Sequence, residues 1–374
     1  MEGYQKGLDG VIAVQTEISL VNGKEGILRY RGYDIADIAR SRTFEEVAYL
    51  LWFGEFPTPD ELEKLTSQMA SQRELSPAAS TTVNAMDVKT NPIDVLRTVI
   101  SAQAATDRLI KPTQEDAIAT AASIPTLLAT FYRRRQGEDA IPPREDLGHA
   151  ANYLYMLTGE EPDESHVAAL NAYLVMLADH GMNASTFTAR VIASTGSDLA
   201  SSLVGAIGAL KGPLHGGAPS YVMEQLAEVR GRDVEEWAQE MLARRERFMG
   251  FGHPIYRTYD PRARILREMA EELNPDFFAT ASKVEEVVLR LLTERYPDRP
   301  MATNVEFYSA GVLEFIGLPT ILFTPTFATS RAVGWSAHVL EQVRQQEERT
   351  SKIIRPQSEY IGPIRDPEVS AARS

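Results

Sequence analysis

Apolar and polar positions alternate in only one part of this chain, its first 35 residues. Val14-Gln15-Thr16-Glu17-Ile18-Ser19-Leu20 and Ile27-Leu28-Arg29-Tyr30-Arg31 read as strands. The Asn22-Gly23 pair between them predicts a tight hairpin turn. Beyond residue 35 the period changes to that of a helix. Thr43-Phe44-Glu45-Glu46 and Thr58-Pro59-Asp60-Glu61 have the form of capping boxes, the second with proline at the first helical position. Asn91-Pro92-Ile93-Asp94 starts in a similar way, and Leu62, Leu65 and Met69 recur at helical spacing after Thr58. Further helices are predicted from Asp163 to Leu177, Asp198 to Leu210, Asp233 to Arg245, Ser282 to Glu294 and Arg331 to Gln345. The expected fold is mainly α with a small N-terminal β hairpin. No repeat or low-complexity linker marks a domain break. The glycines near 212–218 and 250–252 read equally well as hinges or as tight helix–helix turns. The tail after Arg355, with Pro356, Gly362, Pro363 and Pro367, reads as extended.

Composition narrows the function. A chain of 374 residues holds one large domain or two unequal ones. With 44 % hydrophobic and 24 % charged residues it is ordinary for a soluble globular protein. There is no cysteine, which excludes disulfides, thiolate metal sites and cysteine nucleophiles. The net charge of −14 argues against nucleic-acid binding, so an anionic substrate needs local arginines against the global field. The start lacks the basic region and apolar run of a secretory signal, and no apolar stretch approaches the roughly 18–20 residues of a membrane span. A cytoplasmic protein with no membrane or nucleic-acid partner is expected.

The candidate chemistry lies in a few short segments. His180, His215 and His253 sit beside glycine among small or polar residues: Asp179-His180-Gly181-Met182-Asn183, Gly212-Pro213-Leu214-His215-Gly216-Gly217 and Gly250-Phe251-Gly252-His253-Pro254. Glycine permits close backbone approach to a ligand, and imidazole trades protons near neutral pH. Their separation is unlike the close pairs of zinc sites, so acid–base or oxyanion work is the better reading and no metal is expected. His149, His166 and His338 fall within helical patterns and read as structural. Arg257 and Arg262 follow His253, Arg331 is expected to open a helix, and Arg355 lies in the tail. Arginine suits carboxylates because its planar fork binds both oxygens. Arg133, Arg134 and Arg135 read as solvated surface charge. A carboxylate stands in Asn304-Val305-Glu306-Phe307-Tyr308-Ser309.

These segments, in this order and spacing, resemble the citrate synthase family in its shorter bacterial and archaeal form, over nearly the whole chain. The most specific pieces are His180 to Thr186, Lys211 to Ala218, Gly252-His253 with Asp260-Pro261-Arg262, and Asn304 to Ser309. The resemblance implies a helical homodimer. Residues 1–216 and 318–374 would form a large domain, and residues 217–317 a small one closing over the substrates. It implies condensation of acetyl-CoA with oxaloacetate and hydrolysis of the thioester, with no cofactor besides the acyl-CoA substrate. By position, His215 matches the residue that stabilises the thioester enol, and His253 the one that polarises the ketone. Glu306 matches the catalytic base. His180, Arg262 and Arg331 match holders of the oxaloacetate carboxylates, Asn183 a residue of the same pocket, and Arg355 the arginine donated across the dimer. Arg257 and Arg299 match CoA-binding residues. The family usually has aspartate where this chain has Glu306, whose extra methylene lengthens the arm by about 1.5 Å. It usually has arginine where this chain has Pro254. Besides a citrate synthase, the sequence admits a 2-methylcitrate synthase using propionyl-CoA, or a ligand-binding relative with weak turnover.

Overall fold

The computed structural model describes residues 4–103, 110–213, 215, 218–252, 256, 258–298 and 301–364. Three short strands, β1 (Ser19–Asn22), β2 (Ile27–Tyr30) and β3 (Tyr33–Asp34), form an antiparallel sheet in that order. The helices follow: α1 (Ile35–Ile38), α2 (Phe44–Phe53), α3 (Pro59–Ser71), α4 (Pro77–Ala85), α5 (Pro92–Gln103), α6 (Gln114–Gln136), α7 (His149–Thr158) and α8 (Glu164–Leu177). Then come α9 (Ala184–Ala193), α10 (Leu199–Leu210), α11 (Ala218–Val229), α12 (Val234–Arg244), α13 (Pro261–Leu273), α14 (Pro275–Arg295), α15 (Val305–Phe315) and α16 (Phe323–Glu347). The expectation of a mainly α protein with a small β entrance holds. Among the described residues no helix is long and apolar enough to cross a membrane.

Local chemistry explains most boundaries. Thr43 and Glu46, and Thr58 and Glu61, exchange the two hydrogen bonds of a capping box, as expected. Thr113 and Asp116 do the same at α6. Each such cap contributes about 1 kcal/mol. The hairpin differs from the sequence reading. β1 begins at Ser19 rather than Val14, and Asn22 pairs with Ile27 across a four-residue loop instead of closing a two-residue turn. Asn22 Oδ1 accepts from Lys24 N (3.1 Å) and Glu25 N (3.2 Å), and Gly26 takes the left-handed conformation that completes the loop.

α16 runs through the centre, packing against α2, α6, α8, α9 and α10. It starts at Phe323, because proline at position 325 still falls in a first turn, where its missing N–H costs nothing. Arg331 therefore sits inside this helix and does not open one. A second layer places α15 against α13, α11 and α8. Arg133, Arg134 and Arg135 are not simply solvated. In the last turn of α6 they donate to the carbonyls of Leu157, Val83, Asn84 and Val88, tying neighbouring segments to that helix end.

Candidate active site

The site is built on the C-terminal end of α8. A helix end leaves its last carbonyls without intrahelical partners, and here other elements take them. Ser330 Oγ donates to Leu174 O (2.5 Å), Arg331 Nε to Leu177 O (2.7 Å) and Gly334 N to Ala178 O (3.1 Å). The Tyr30 hydroxyl lies 3.0 Å from Met176 O and 2.9 Å from Asp179 O. The α16 backbone can come this close because residue 334 is glycine. A Cβ there would collide with Ala178 O and stand 2.6 Å from Asp179 Oδ1.

Asp179, wholly buried, accepts from Gly181 N (2.8 Å) and Ser19 Oγ (2.5 Å) and pairs with His338 Nε2 (3.3 Å). Burial opposes its ionisation, but His338, Arg331 and Ser19 outweigh burial and hold the carboxyl below its ordinary range. Behind His338, the buried Arg190 donates to Glu341 Oε2 (2.5 Å), Gln342 Oε1 (3.2 Å) and Gln345 Oε1 (2.8 Å). His180 follows Asp179 directly, is buried, and places its Nε2 3.0 Å from the Tyr256 hydroxyl.

Asn183 caps α9. Its Oδ1 accepts from Ser185 N and Thr186 N, both at 3.1 Å, and lies 2.7 Å from Ser185 Oγ. That carbonyl oxygen is committed to the cap, so Asn183 shapes the turn before it can bind anything. Ser185 in turn fixes His215. Its N–H points at His215 Nε2 (3.3 Å), its Oγ lies 2.9 Å from the same nitrogen, and Trp335 Nε1 donates into that Oγ at 3.1 Å. With an N–H aimed at it, Nε2 is the acceptor and Nδ1 carries the proton. Burial, with the charge of Arg331 adding, pulls the His215 pKa down to about 4. His215 is thus a neutral imidazole at pH 7, with an N–H to donate.

The two arginines differ. Arg262, in the first turn of α13, is gripped by the buried Asp260 through Nε (3.1 Å) and Nη2 (2.8 Å). Arg331, 2 % exposed, makes no ion pair with a carboxylate among the described residues. Its guanidinium lies over the Phe327 ring at 4.6 Å. Burial lowers its pKa to about 10, against the opposing charge of Asp179. A buried cation left this way favours an arriving anion.

Glu306 is the second residue of α15. Asn304 caps this helix through Oδ1 to Glu306 N (2.9 Å), and Asn304 Nδ2 donates to Gly252 O (3.1 Å). Gly252 N also donates to Ala302 O, and Asn304 N to Gly250 O. The chain leading into Glu306 is therefore zipped to the 250–252 segment. Gly250 is left-handed, and a Cβ there would meet Phe307 Cβ at 2.8 Å, so this stretch is a tight packed turn. Among the described residues nothing hydrogen-bonds or pairs with the Glu306 carboxylate. Burial raises its pKa to about 7, against the opposing charges of Arg262 and Arg247. One methylene longer than aspartate, it still titrates where a base is useful.

His253, Pro254, Arg257 and Arg299 lie outside the described residues. Arg355 is exposed, and its neighbour Ile354 N donates to Ser194 Oγ (3.0 Å). His149 and His338 are buried and serve the packing, and His166 stacks edge-on against Phe315. The described residues contain no cluster that could hold a metal ion. The sequence reading missed Ser185, Asp179, Tyr256 and Arg247. Ser185 carried a usable signal, standing two residues after a cap asparagine, whereas Arg247 reads as one of a basic run.

These segments thus bring a carboxylate with a pKa of about 7, a neutral imidazole and a buried arginine onto α15, the 212–215 turn and α16. Comparison with known proteins gives the family. Residues 7–357 match the model "Citrate synthase, C-terminal domain". The chain is 41 % identical to a citrate synthase of Haloferax volcanii, over 96 % of each chain. It is 36 % identical to a 2-methylcitrate synthase of Shewanella oneidensis, covering 95 % of this chain and 94 % of that one. The crystal structure of Thermotoga maritima citrate synthase matches with a TM-score of 0.87 and 41 % identity, covering 100 % of this chain and 99 % of that one. Thermoplasma acidophilum citrate synthase, in its ternary complex with carboxymethyl coenzyme A and oxaloacetate, matches with a TM-score of 0.89 and 30 % identity, over 98 % of each chain. The chain belongs to the citrate synthase family.

Proposed function

We propose that this protein is a citrate synthase, an acyltransferase that condenses acetyl-CoA with oxaloacetate and releases citrate and CoA. The observation that carries the reading is Glu306, a half-buried carboxylate with no hydrogen-bond or ion-pair partner among the described residues and a pKa of about 7. A thioester α-proton is weakly acidic, so its removal needs a base and an oxyanion donor acting together. Glu306 takes the proton, and the N–H on His215 Nδ1 stabilises the enol oxygen. The enol carbon then attacks the ketone of oxaloacetate, polarised by His253. Water finally hydrolyses the citryl thioester.

Oxaloacetate is a dianion. His180, Arg262 and Arg331 hold its carboxylates, with Asn183 shaping the turn. Because Asp260 already balances Arg262, Arg331 supplies most of the uncompensated charge. Residues 217–317 form a small domain that closes over the larger remainder, shutting out water until condensation is complete. Arg257 and Arg299 meet the CoA phosphates.

The working unit is a homodimer in which Arg355 completes the partner's oxaloacetate pocket. The tail around it exposes Ile353, Tyr360, Ile361 and Ile364, apolar surface that a second subunit would cover. Mixing Arg355→Ala subunits with His253→Ala subunits should restore some activity in heterodimers. No recovery with heterodimers verified would contradict the donation.

The central test follows thiol release with oxaloacetate and either acetyl-CoA or propionyl-CoA. Acetyl-CoA should be the faster substrate. One methylene is worth about 1–3 kcal/mol of discrimination, so a propionyl preference would identify a 2-methylcitrate synthase. No release with either thioester would identify a ligand-binding relative. Glu306→Gln should lower turnover by at least about a hundredfold, the lower end of a general base's contribution, with oxaloacetate binding nearly unchanged.

A further inference from the structure

Behind the first turn of α15, α14 buries a carboxylate, Glu285, that is 8 % exposed. It gathers three hydroxyls and a guanidinium. Tyr308 donates to its Oε2 (2.5 Å), Thr303 to its Oε1 (2.7 Å) and Tyr259 to its Oε1 (3.2 Å). Arg267 Nε donates to Oε2 (3.3 Å), with its guanidinium over the Phe278 ring at 4.8 Å and the Tyr308 ring at 5.8 Å. The Thr303 and Tyr259 hydroxyls are themselves 2.9 Å apart.

The partners bracket the site. Thr303 stands three residues before Glu306 and Tyr308 two after it, on either side of the Asn304 cap. Tyr259 precedes Asp260, the carboxylate that grips Arg262. A buried carboxylate is costly to desolvate, and an apolar residue of similar size would fill the same space at lower cost. What an apolar residue could not do is accept from three separate segments at once and fix their spacing.

We propose that Glu285 is a positioning residue that sets Glu306 and the Asp260–Arg262 pair in register with each other. The inference rests on the reading of Glu306 as the base. Without the Glu285 carboxylate, the Thr303 and Tyr308 hydroxyls lose their acceptor and the first turn of α15 is freed on both sides of Glu306. Misplacement of a catalytic group by about 1 Å can cost roughly a hundredfold in rate. Loosening also lets more water reach a half-buried carboxylate that feels the charges of Arg262, Arg247 and Asp260. Since burial is the main force on Glu306, its titration should then fall toward the ordinary carboxylate range.

The experiment compares wild type, Glu285→Gln, Tyr308→Phe and Glu306→Gln by thiol release across pH, with thermal unfolding as the check on folding. Glutamine keeps the size of residue 285 but offers one acceptor oxygen in place of two. Expected are a turnover loss of roughly tenfold or more in Glu285→Gln, a smaller loss in Tyr308→Phe, and an acid limb moved to lower pH in both. If Glu285→Gln does not fold, Tyr308→Phe decides by the same two readouts. Wild-type turnover, or a loss of turnover with the acid limb unmoved, overturns the positioning role and leaves the base intact. Full turnover in Glu306→Gln overturns the reading of the base, and the positioning role with it.

Discussion

Asp179 and Glu306 are both carboxylates held inside this protein, and the environment drives them in opposite directions. Asp179 has an imidazole, a serine hydroxyl and a backbone N–H, and its proton affinity is held down. Glu306 has none of these among the described residues, and its pKa climbs to about 7. The histidines divide in the same way. His338 is locked between Asp179 and the Arg190–Glu341 pair, whereas His215 is neutral, with its Nε2 against Ser185. Residue type therefore does not separate framework from chemistry. A group held by several partners at once holds the turn, and a group left short of partners is free to react. The first kind is clustered where α16 meets the end of α8, and the second lies in the first turn of α15 and beside Ser185.

Breaking the satisfied region should cost stability first. Asp179→Ala removes the shared partner of His338, Ser19 and Gly181 and should destabilise by about 3–5 kcal/mol, as when one partner of a buried ion pair is deleted. Chemical denaturation near neutral pH measures this. Because Asp179 ionises more easily when folded, its contribution is present above its ordinary pKa of 3.8 and is lost as pH falls through the lower folded value. Gly334→Ala forces a Cβ into the α16 contact with the α8 turn and should cost about 1–3 kcal/mol, the usual range for overpacking. An unchanged melting temperature would mean that the two backbones do not touch.

The unsatisfied region should respond in the reverse sense. The Glu306 pKa is raised on folding, so the side chain's contribution turns against the fold as pH rises from the unfolded toward the folded value. The penalty is absent below its ordinary pKa of 4.5 and complete above about 7. Glu306→Gln should therefore gain about 1–3 kcal/mol of stability at pH 8 and nothing at pH 4, while losing activity. A melt at each pH tests this, and equal effects at both would show that folding does not raise the Glu306 pKa. The smallest change expected is for Asn183→Ala, which removes the α9 cap and should cost about 1 kcal/mol.

Much of this was legible in the sequence. The capping boxes at Thr43 and Thr58 announced their helices, because each side-chain bond is written in residues three apart. His180 and His215, picked out by their glycine neighbours, and the carboxylate of the Asn304–Ser309 segment are residues of the candidate site. What the sequence could not show was long-range satisfaction. Arg331 reads as a helix opener until Pro325 is seen within the first turn of a longer helix. Arg133 to Arg135 read as solvated until their carbonyl partners from other segments are in place. His338 and Asp179 lie far apart in the chain, and nothing local marks them as a pair. The Asn22-Gly23 turn failed for a local reason, since Asn22 closed a wider loop with its own side chain.

The account turns on Glu306 as a base that must lose its proton before it can work. The most direct measurement is the pH dependence of kcat/KM, which reports the free enzyme's essential groups, from about pH 5 to 9. The predicted profile rises with unit slope from the acid side and levels off near pH 7, the folded pKa of this carboxylate. An acid limb near the ordinary carboxylate value of 4.5, or the same limb persisting in Glu306→Gln, would place the base elsewhere.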